Sequence, residues 1–201
     1  MIITKIDKAD KSKFRIYIDE EFAFLLYEKD LDQYNLEEGQ TLLPELYERL
    51  IEKLIYPRAI EKALSILKYM DRCEHELRHK LSQAQYSTDI IDRVLQYVMN
   101  YGYLDDERYA KAYVKSRMNR KSKMIILGEL YQKGVSKIII DQVMDIEYES
   151  DDQEDAELIA LQKAIAKKTK DPKSLSPQDK QKLMASLYRK GFDISKIKQF
   201  L

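Results

Sequence analysis

The chain has 201 residues, of which 44% are hydrophobic and 35% are charged. Lys and Arg together number 35, as do Asp and Glu, so the formal net charge is zero. This balance argues against a protein that binds any nucleic acid strongly through its overall charge, although local segregation of charge can still create a binding surface. With only 5 Gly and 4 Pro, the composition favours a mostly helical fold.

Cysteine content and hydropathy bear on the compartment. Cys73 is the only cysteine, so an internal disulfide is excluded and a reducing cytosol fits. The first residues lack the apolar run of a signal peptide. Uncharged apolar runs all fall far short of the roughly 20 residues needed to cross a bilayer. We therefore expect a cytoplasmic protein that makes no membrane contact.

Residues 1–26 have the pattern of β-strands. Apolar and polar residues alternate over 14–18, which predicts a strand with one buried face. The segments 2–6 and 22–26 are its expected neighbours. We predict a small β-meander here, followed over 27–40 by a connector with at most one short helix.

From Leu43 the hydrophobic period becomes that of an α-helix. Apolar residues recur three, four or seven positions apart, as they do on one face of a helix. Pro57 interrupts this pattern and suits the first turn of a new helix, because its nitrogen has no hydrogen to donate. We predict one connecting helix before Pro57 and another helix after it.

An internal repeat is the strongest sign of domain organisation. Residues 86–95 align without gaps on 135–144, and both segments read as an apolar residue, a serine N-cap and a later Ile-Ile-Asp-x-Val or its equivalent. A third copy closes the chain, because 187–192 matches 130–135 and Asp193 can cap a final helix. Units of this size bury their apolar faces by stacking on one another. We predict an N-terminal region at 1–56 and three-helix units at 57–104, 105–148 and 149–201.

Residues 101–117 join the first two units. Gly102 is predicted to end a helix, because glycine adopts positive φ easily. Asp105 is predicted to cap the next helix. The helical period then gives that helix an apolar side and a basic side. The apolar side holds Tyr109, Ala110, Ala112, Tyr113 and Val114, and the basic side holds Arg108, Lys111 and Lys115.

One motif points to an enzyme and is set aside. Residues 75–79 match the H-E-x-x-H pattern, in which His75 and His79 would bind zinc and Glu76 would activate water. No further histidine exists for a third ligand, and the repeat accounts for Glu76 without chemistry. We expect both histidines to be exposed. We predict no enzyme activity, no catalytic residues, no metal and no cofactor.

A run of cations is the best candidate for a binding surface. Residues 108–123 contain seven Lys or Arg, and 115–123 contain no acidic residue. Phosphate oxygens and acidic protein grooves both accept such donors. The alternative is a solvated face whose charges pair locally. Arg117 is set apart, because it can turn inward to Asp105 or Asp106. The candidate contacts are Arg108, Lys111, Lys115, Arg120, Lys121 and Lys123.

Three further charged features are weaker candidates. Lys163, Lys167, Lys168 and Lys170 form a looser basic strip in the third unit. Lys133 and Lys190 share one repeat position just before a glycine, where the helix dipole alone favours a cation. The segment 145–157 is mostly acidic, and we interpret it as a solvated linker with an acidic helix start. A segment that masks a basic surface is the other interpretation.

The chain resembles the RecX family, bacterial regulators of the RecA recombinase. The residues that carry the resemblance are 76–81, 101–117, 130–135 and 182–192, and with the repeat they cover about 57–201. The resemblance implies a mainly α fold of tandem three-helix repeats in an elongated, curved array after a β-rich start. It also implies binding along the groove of a RecA–DNA filament, with an effect on ATP hydrolysis and strand exchange and without catalysis. RecA and the single-stranded or duplex DNA within the filament would be the partners of a monomeric protein.

A second function stays open at this point. Helix, short turn and capped helix also describe a helix-turn-helix module. Such a module would bind a specific duplex without RecA.

Overall fold

The structure is a computed structural model that describes residues 1–148 and 155–201. The chain forms two compact units, residues 1–104 and 105–201. The first unit contains β1 (Ile3–Lys8), β2 (Lys13–Ile18), β3 (Glu21–Tyr27), α1 (Glu28–Tyr34), α2 (Pro44–Leu50), α3 (Tyr56–Tyr69), α4 (Glu74–Gln83) and α5 (Thr88–Asn100). The second contains α6 (Asp106–Arg117), α7 (Lys123–Gln132), α8 (Lys137–Tyr148), α9 (Ala156–Ala166), α10 (Pro177–Tyr188) and α11 (Ile194–Lys198).

The N-terminal strands form an antiparallel sheet in the order β1-β2-β3. Ile3, Ile16 and Leu26, one from each strand, are almost completely buried. Alternating side chains point to opposite faces of a strand, so this alternation places one face of the sheet on the core of the first unit. The predicted β-meander is therefore confirmed, and α1 is the short helix expected in the connector.

A buried ion pair joins α1 to α3. Asp30 is 1% exposed, and its carboxylate accepts hydrogen bonds of 2.7 and 2.9 Å from the two terminal nitrogens of Arg58. The Tyr27 N–H donates a third bond of 2.8 Å to the same group. Burial favours the protonated acid, but these hydrogen bonds outweigh it and hold the pKa of Asp30 below its usual value. The charge of Asp30 is thus fully compensated inside the fold.

The helical path does not break at Pro57. Residues Ile51–Ile55 form a π-helical turn that connects α2 to α3, and the Tyr56 N–H bonds to the Ile51 carbonyl five residues earlier. A proline ring collides with the carbonyl four residues before it in a regular α-helix. The wider turn just before Pro57 relieves that collision. The expected interruption is real, but it takes the form of a π turn rather than a gap between helices.

Each repeat turns between its last two helices in the same way. Gln85, Gly134 and Gly191 occupy equivalent positions, and all three have positive φ. In each turn the N–H of this residue and the N–H of the residue after it donate hydrogen bonds to carbonyls of the preceding helix, in the pattern of a left-handed C-terminal cap. The repeat seen in the sequence is therefore a repeat in backbone geometry, even where glutamine replaces glycine.

Three-helix packing is visible in the second unit, where α6 and α7 both pack on α8. Ala110 and Val114 of α6 are fully buried.

The prediction that Ala112 lies on the apolar side of α6 is wrong, because this residue is exposed. At 3.6 residues per turn, position 112 lies about 200° around the helix from Ala110, on the basic side. Mainly helical architecture with three repeats after a small sheet is confirmed, while the exact domain bounds stay a prediction.

Two expectations concern the limits of the described chain. Among residues 1–148 and 155–201, no helix has both the length and the apolar character to span a membrane. The acidic segment predicted at 145–157 is described only in part, because 149–154 lie outside the described residues. Cys73 is buried.

Candidate partner-binding surface

The local signals that position α6 behave as the sequence predicts. Gly102 has φ of 70°, and the Asp105 carboxylate accepts a hydrogen bond of 2.9 Å from the Arg108 N–H. The helix starts at Asp106, so its first turn carries the negative charge that the helix dipole favours. With Ala110 on the core side, the basic side of α6 lies outward.

Two of the predicted contacts on α6 hold local ion pairs. The Lys111 ammonium lies 2.5 Å from Glu107, and this hydrogen bond raises the pKa of Lys111. The Lys115 ammonium lies 3.4 Å from Glu147 of α8, although 65% of the Lys115 side chain stays exposed. The Lys111–Glu107 pair is exposed on both sides and contributes little stability, so a competing anion can displace it. The locally paired face that the sequence left open thus describes part of this surface.

The end of α6 is held by an aromatic and acidic cluster. The guanidinium carbon of Arg117 lies 3.6 Å from the centre of the Tyr113 ring, and its Nε lies 3.9 Å from Glu129 of α7. The Tyr113 hydroxyl donates a 3.0 Å hydrogen bond to Glu129, which also accepts one from Lys121. Burial raises the pKa of Glu129, but the bonds from Lys121 and Tyr113 outweigh it and lower that pKa. Arg117 therefore turns inward as expected, but toward Glu129 rather than Asp105 or Asp106.

The remaining three predicted contacts differ in their surroundings. Arg108 and Arg120 are exposed. Within the described chain, Arg120 forms no ion pair. Lys123 is half-buried, and its ammonium lies 5.2 Å from the centre of the Tyr148 ring. Its backbone N–H donates a 3.3 Å hydrogen bond to Glu157 of α9, so Lys123 lies where the second and third repeats meet.

The structure does not bring the six predicted residues into one site. Arg108, Lys111 and Lys115 follow the outer side of α6, whereas Arg120 and Lys121 line a groove shared with the third repeat. The four other cations of that groove, Lys163, Lys167, Arg189 and Lys190, were absent from the predicted contacts. Lys163 and Lys167 stood in the basic strip and Lys190 at the repeated position before glycine, so these three had a sequence signal and Arg189 had none. Nothing in the pattern linked any of them to Arg120.

The H-E-x-x-H residues lie on the surface of α4. His75 and His79 are both exposed, as predicted. The ring Nε2 of His79 lies 3.0 Å from the side-chain nitrogen of Gln83. Among the residues that the structure describes, His, Cys, Asp and Glu side chains form no cluster of three able to hold a metal ion.

Family models match each repeat of the chain. A model described as the second three-helix domain of RecX matches residues 105–144. The models of the first and third three-helix domains match 59–97 and 155–201.

Relatives and solved structures agree with these matches. "Regulatory protein RecX" of Clostridium acetobutylicum is 32% identical over 99% of this chain and 94% of its own length. The protein of the same name from Clostridioides difficile is 29% identical over 100% and 94%. A crystal structure of regulatory protein RecX superposes with a TM-score of 0.66 at 24% identity, covering 99% of this chain and 98% of its own. RecX from Lactobacillus salivarius gives 0.59 at 26% identity over 72% and 93%. With near-complete coverage and matches to all three repeats, this chain belongs to the RecX family of regulatory proteins.

Proposed function

We propose that this protein is a cytoplasmic, monomeric regulator without enzyme activity that binds the RecA–DNA filament along its groove. Binding there changes ATP hydrolysis and strand exchange by RecA during recombination and DNA repair. The observation that carries the proposal is similarity to regulatory RecX proteins along the whole chain, with every repeat matched by its own family model. Arrays of helical repeats in general offer extended surfaces, and a long filament is a suitable partner for such a surface.

Contacts in this proposal come from the cations at 108–123. Arg108, Lys111 and Lys115 lie outward on α6, and the two lysines can exchange Glu107 and Glu147 for filament phosphates or acidic RecA side chains. Arg120, Lys121 and Lys123 extend the positive charge into the turn before α7. Zero net charge with segregated patches favours a mixed protein–DNA partner over bare duplex.

The test is RecA ATP hydrolysis on single-stranded DNA, titrated with this protein, beside binding to the same DNA without RecA. We expect hydrolysis to change at protein concentrations well below those that coat the bare DNA. The double variant Arg108→Glu/Lys115→Glu should need at least tenfold more protein for the same effect. Lys53→Glu/Lys182→Glu changes the net charge equally at exposed lysines elsewhere and serves as the control. Equal potency of the two double variants would show that this surface does not bind the filament.

The helix-turn-helix alternative has less support. Its recognition helices would be α5 and α8, whose exposed sides must face the phosphates of the major groove. Asp89 and Asp92 are exposed on α5, and Asp141 and Asp145 are exposed on α8. These carboxylates would repel phosphate. No effect on RecA, together with tight salt-sensitive binding to a specific duplex, would favour this alternative.

A further inference from the structure

A cleft of about 1110 Å³ lies beside β3 in the first unit. β3 forms one of its walls, and the other wall comes from α3 and from the turn between α4 and α5. The floor between these walls is apolar and includes Ile51, Ile55 and Ile90. The lining residues all belong to 1–104, so the cleft shares no residue with the cations at 108–123 or with the groove between the second and third repeats.

The two edges of the N-terminal sheet differ. Along β1, the chain that follows α1 closes the outer edge. The Ile3 N–H donates a 3.0 Å hydrogen bond to the Gln40 carbonyl, and the Ile3 carbonyl accepts one of 2.8 Å from the Gly39 N–H. The Ile6 N–H donates a 2.6 Å bond to the Glu38 carboxylate. Within residues 1–148 and 155–201, no segment pairs with the outer edge of β3 in this way.

The hydrogen-bond pattern shows which groups of β3 point into the cleft. The Glu28 N–H donates a 3.1 Å bond to the Ser12 carbonyl, so this pair is bonded across the sheet. Bonded and non-bonded pairs alternate along antiparallel strands, so Leu25 turns its N–H and carbonyl away from β2. Tyr27 has the same orientation, and its N–H already bonds to the Asp30 carboxylate at 2.8 Å. In the part of the chain that the structure describes, no loop or side chain bonds to the Leu25 backbone from the cleft side.

The helical wall limits what can pair with this edge. An exposed edge strand ordinarily invites the edge of another sheet. In every copy of this chain, however, β3 lies inside the same cleft, so two copies could pair their β3 strands only if each helical wall entered the other protein. A single extended chain needs only about 4.8 Å beside β3 for its backbone. β3 has seven residues, so such a chain could pair over roughly 23 Å.

Charge defines one end of the cleft. Asp19 and Glu21 lie at the start of β3, and neither carboxylate forms an ion pair in the described chain. The rest of the charged lining carries both signs and favours neither. A strand antiparallel to β3 would place its C-terminal residues beside Glu21. Opposite charges on neighbouring strands attract, so a cation is favoured at that end of the partner.

We propose that the cleft binds an extended peptide segment of another protein, which joins the sheet as a fourth strand antiparallel to β3. The peptide backbone exchanges two hydrogen bonds with Leu25. Alternate side chains of the peptide lie on the apolar floor, as in other complexes that form by strand addition. A Lys or Arg near the C-terminal end of the peptide pairs with Glu21. The proposed action on RecA is assigned to other residues and does not use this cleft.

The test is fluorescence anisotropy of the labelled peptide Thr-Val-Thr-Val-Thr-Lys-Arg with the full chain. In antiparallel register its third residue lies opposite Leu25, and its two valines lie over the floor. N-methylation of the third amide removes the N–H that bonds to Leu25 and should weaken binding about tenfold. N-methylation of the second amide, whose N–H points to the opposite edge of the peptide, should change the affinity less than about threefold.

Variants of the protein test the same contacts from the other side. Leu25→Pro removes the N–H at an edge position, where proline is tolerated in a strand, and should weaken binding about tenfold. Glu21→Lys should weaken binding of this peptide about threefold and strengthen binding of a peptide that ends in Glu-Glu. Glu48→Lys makes the same charge change at an exposed residue outside the cleft and should leave both affinities within about twofold of the wild type. Thermal unfolding of each variant shows that it is folded.

Several outcomes would overturn the proposal. One is the absence of binding at millimolar peptide, and another is an equal effect of the two N-methylations. Equal affinities of Glu21→Lys and Glu48→Lys for the first peptide would contradict the assigned orientation and charge. Sedimentation of the wild type as a dimer that Leu25→Pro converts to a monomer would show that a second copy occupies the edge instead. RecA takes no part in these measurements, so either this proposal or the proposed action on RecA can fail while the other stands.

Discussion

Positive charge is used differently in residues 1–104 and in the groove between the second and third repeats. Three arginines of the first unit pair with carboxylates from other elements, whereas the groove gathers cations around a surface with no carboxylate in its described lining. The first arrangement joins secondary-structure elements, and the second leaves charge available to a ligand. The joining pairs are Arg58–Asp30, Arg78–Asp92 and Arg93–Glu52.

Counting cations would not separate these two arrangements, because both are rich in Lys and Arg. What separates them is the presence of a carboxylate within reach and the degree of burial. A buried pair is costly to disrupt, whereas exposed cations without a carboxylate partner can be replaced at little cost in stability. Substitutions in the two regions should therefore have opposite profiles, with stability affected in one and ligand binding in the other.

The largest loss of stability should come from breaking the buried pair. Arg58→Ala leaves the Asp30 carboxylate buried without its two hydrogen bonds, so the free energy of unfolding should fall by roughly 2–4 kcal/mol. Urea denaturation at pH 7 measures the change. Arg78→Ala removes an arginine that is 39% exposed and should cost less than about 1 kcal/mol. Similar losses for the two variants would mean that Asp30 is not effectively buried.

The next largest effect should arise at the joint that forms the groove. Gly191→Ala forces a side chain into a left-handed backbone, with φ of 76°, and brings its Cβ against the Ser122 hydroxyl. We expect about 2–3 kcal/mol of destabilisation in urea denaturation. Gly102→Ala carries the backbone strain alone, because nothing lies within 4 Å of its added Cβ, and should cost about 1–2 kcal/mol. If Gly102→Ala were the more harmful of the two, close packing at the joint would not matter.

A smaller effect should appear in the pH dependence of stability. The pKa of Asp30 is lower in the folded state than the usual value of about 3.9 in an unfolded chain. Between the two values the unfolded state binds more protons, so stability that is fully present at pH 7 is lost as pH falls below about 4. Asp30→Asn removes this titration. Its free energy of unfolding should therefore decline less steeply than that of the wild type between about pH 4 and pH 2, as urea titrations at several pH values would show. Parallel curves would contradict the assignment.

Local signals in the sequence were sufficient for much of the fold. The alternation over 14–18 predicted a strand in the right place, and Gly102 and Asp105 were correctly predicted to end one helix and cap the next. These features depend on backbone preferences and on hydrogen bonds between residues a few positions apart. Ala112 was assigned to the apolar side because of its residue type, whereas the helical period places it about 200° from Ala110, on the exposed side.

The residues of the candidate site were harder to predict, because the pairing of each cation depends on carboxylates that folding brings near. Glu147 of α8 pairs with Lys115 of α6, and Glu129 of α7 pairs with Lys121 in the turn before that helix.

The sequence was enough to establish three helical repeats, their caps, their family and a positively charged stretch at 108–123, since each of these is written in neighbouring or periodic residues. The tertiary structure was needed to place Arg120 beside Lys163 and Arg189, more than 40 positions away along the chain. Charge interactions follow distance in space, and that distance is set at the joint where the Ser122 hydroxyl bonds to the Lys190 carbonyl and Gly191 packs against the start of α7.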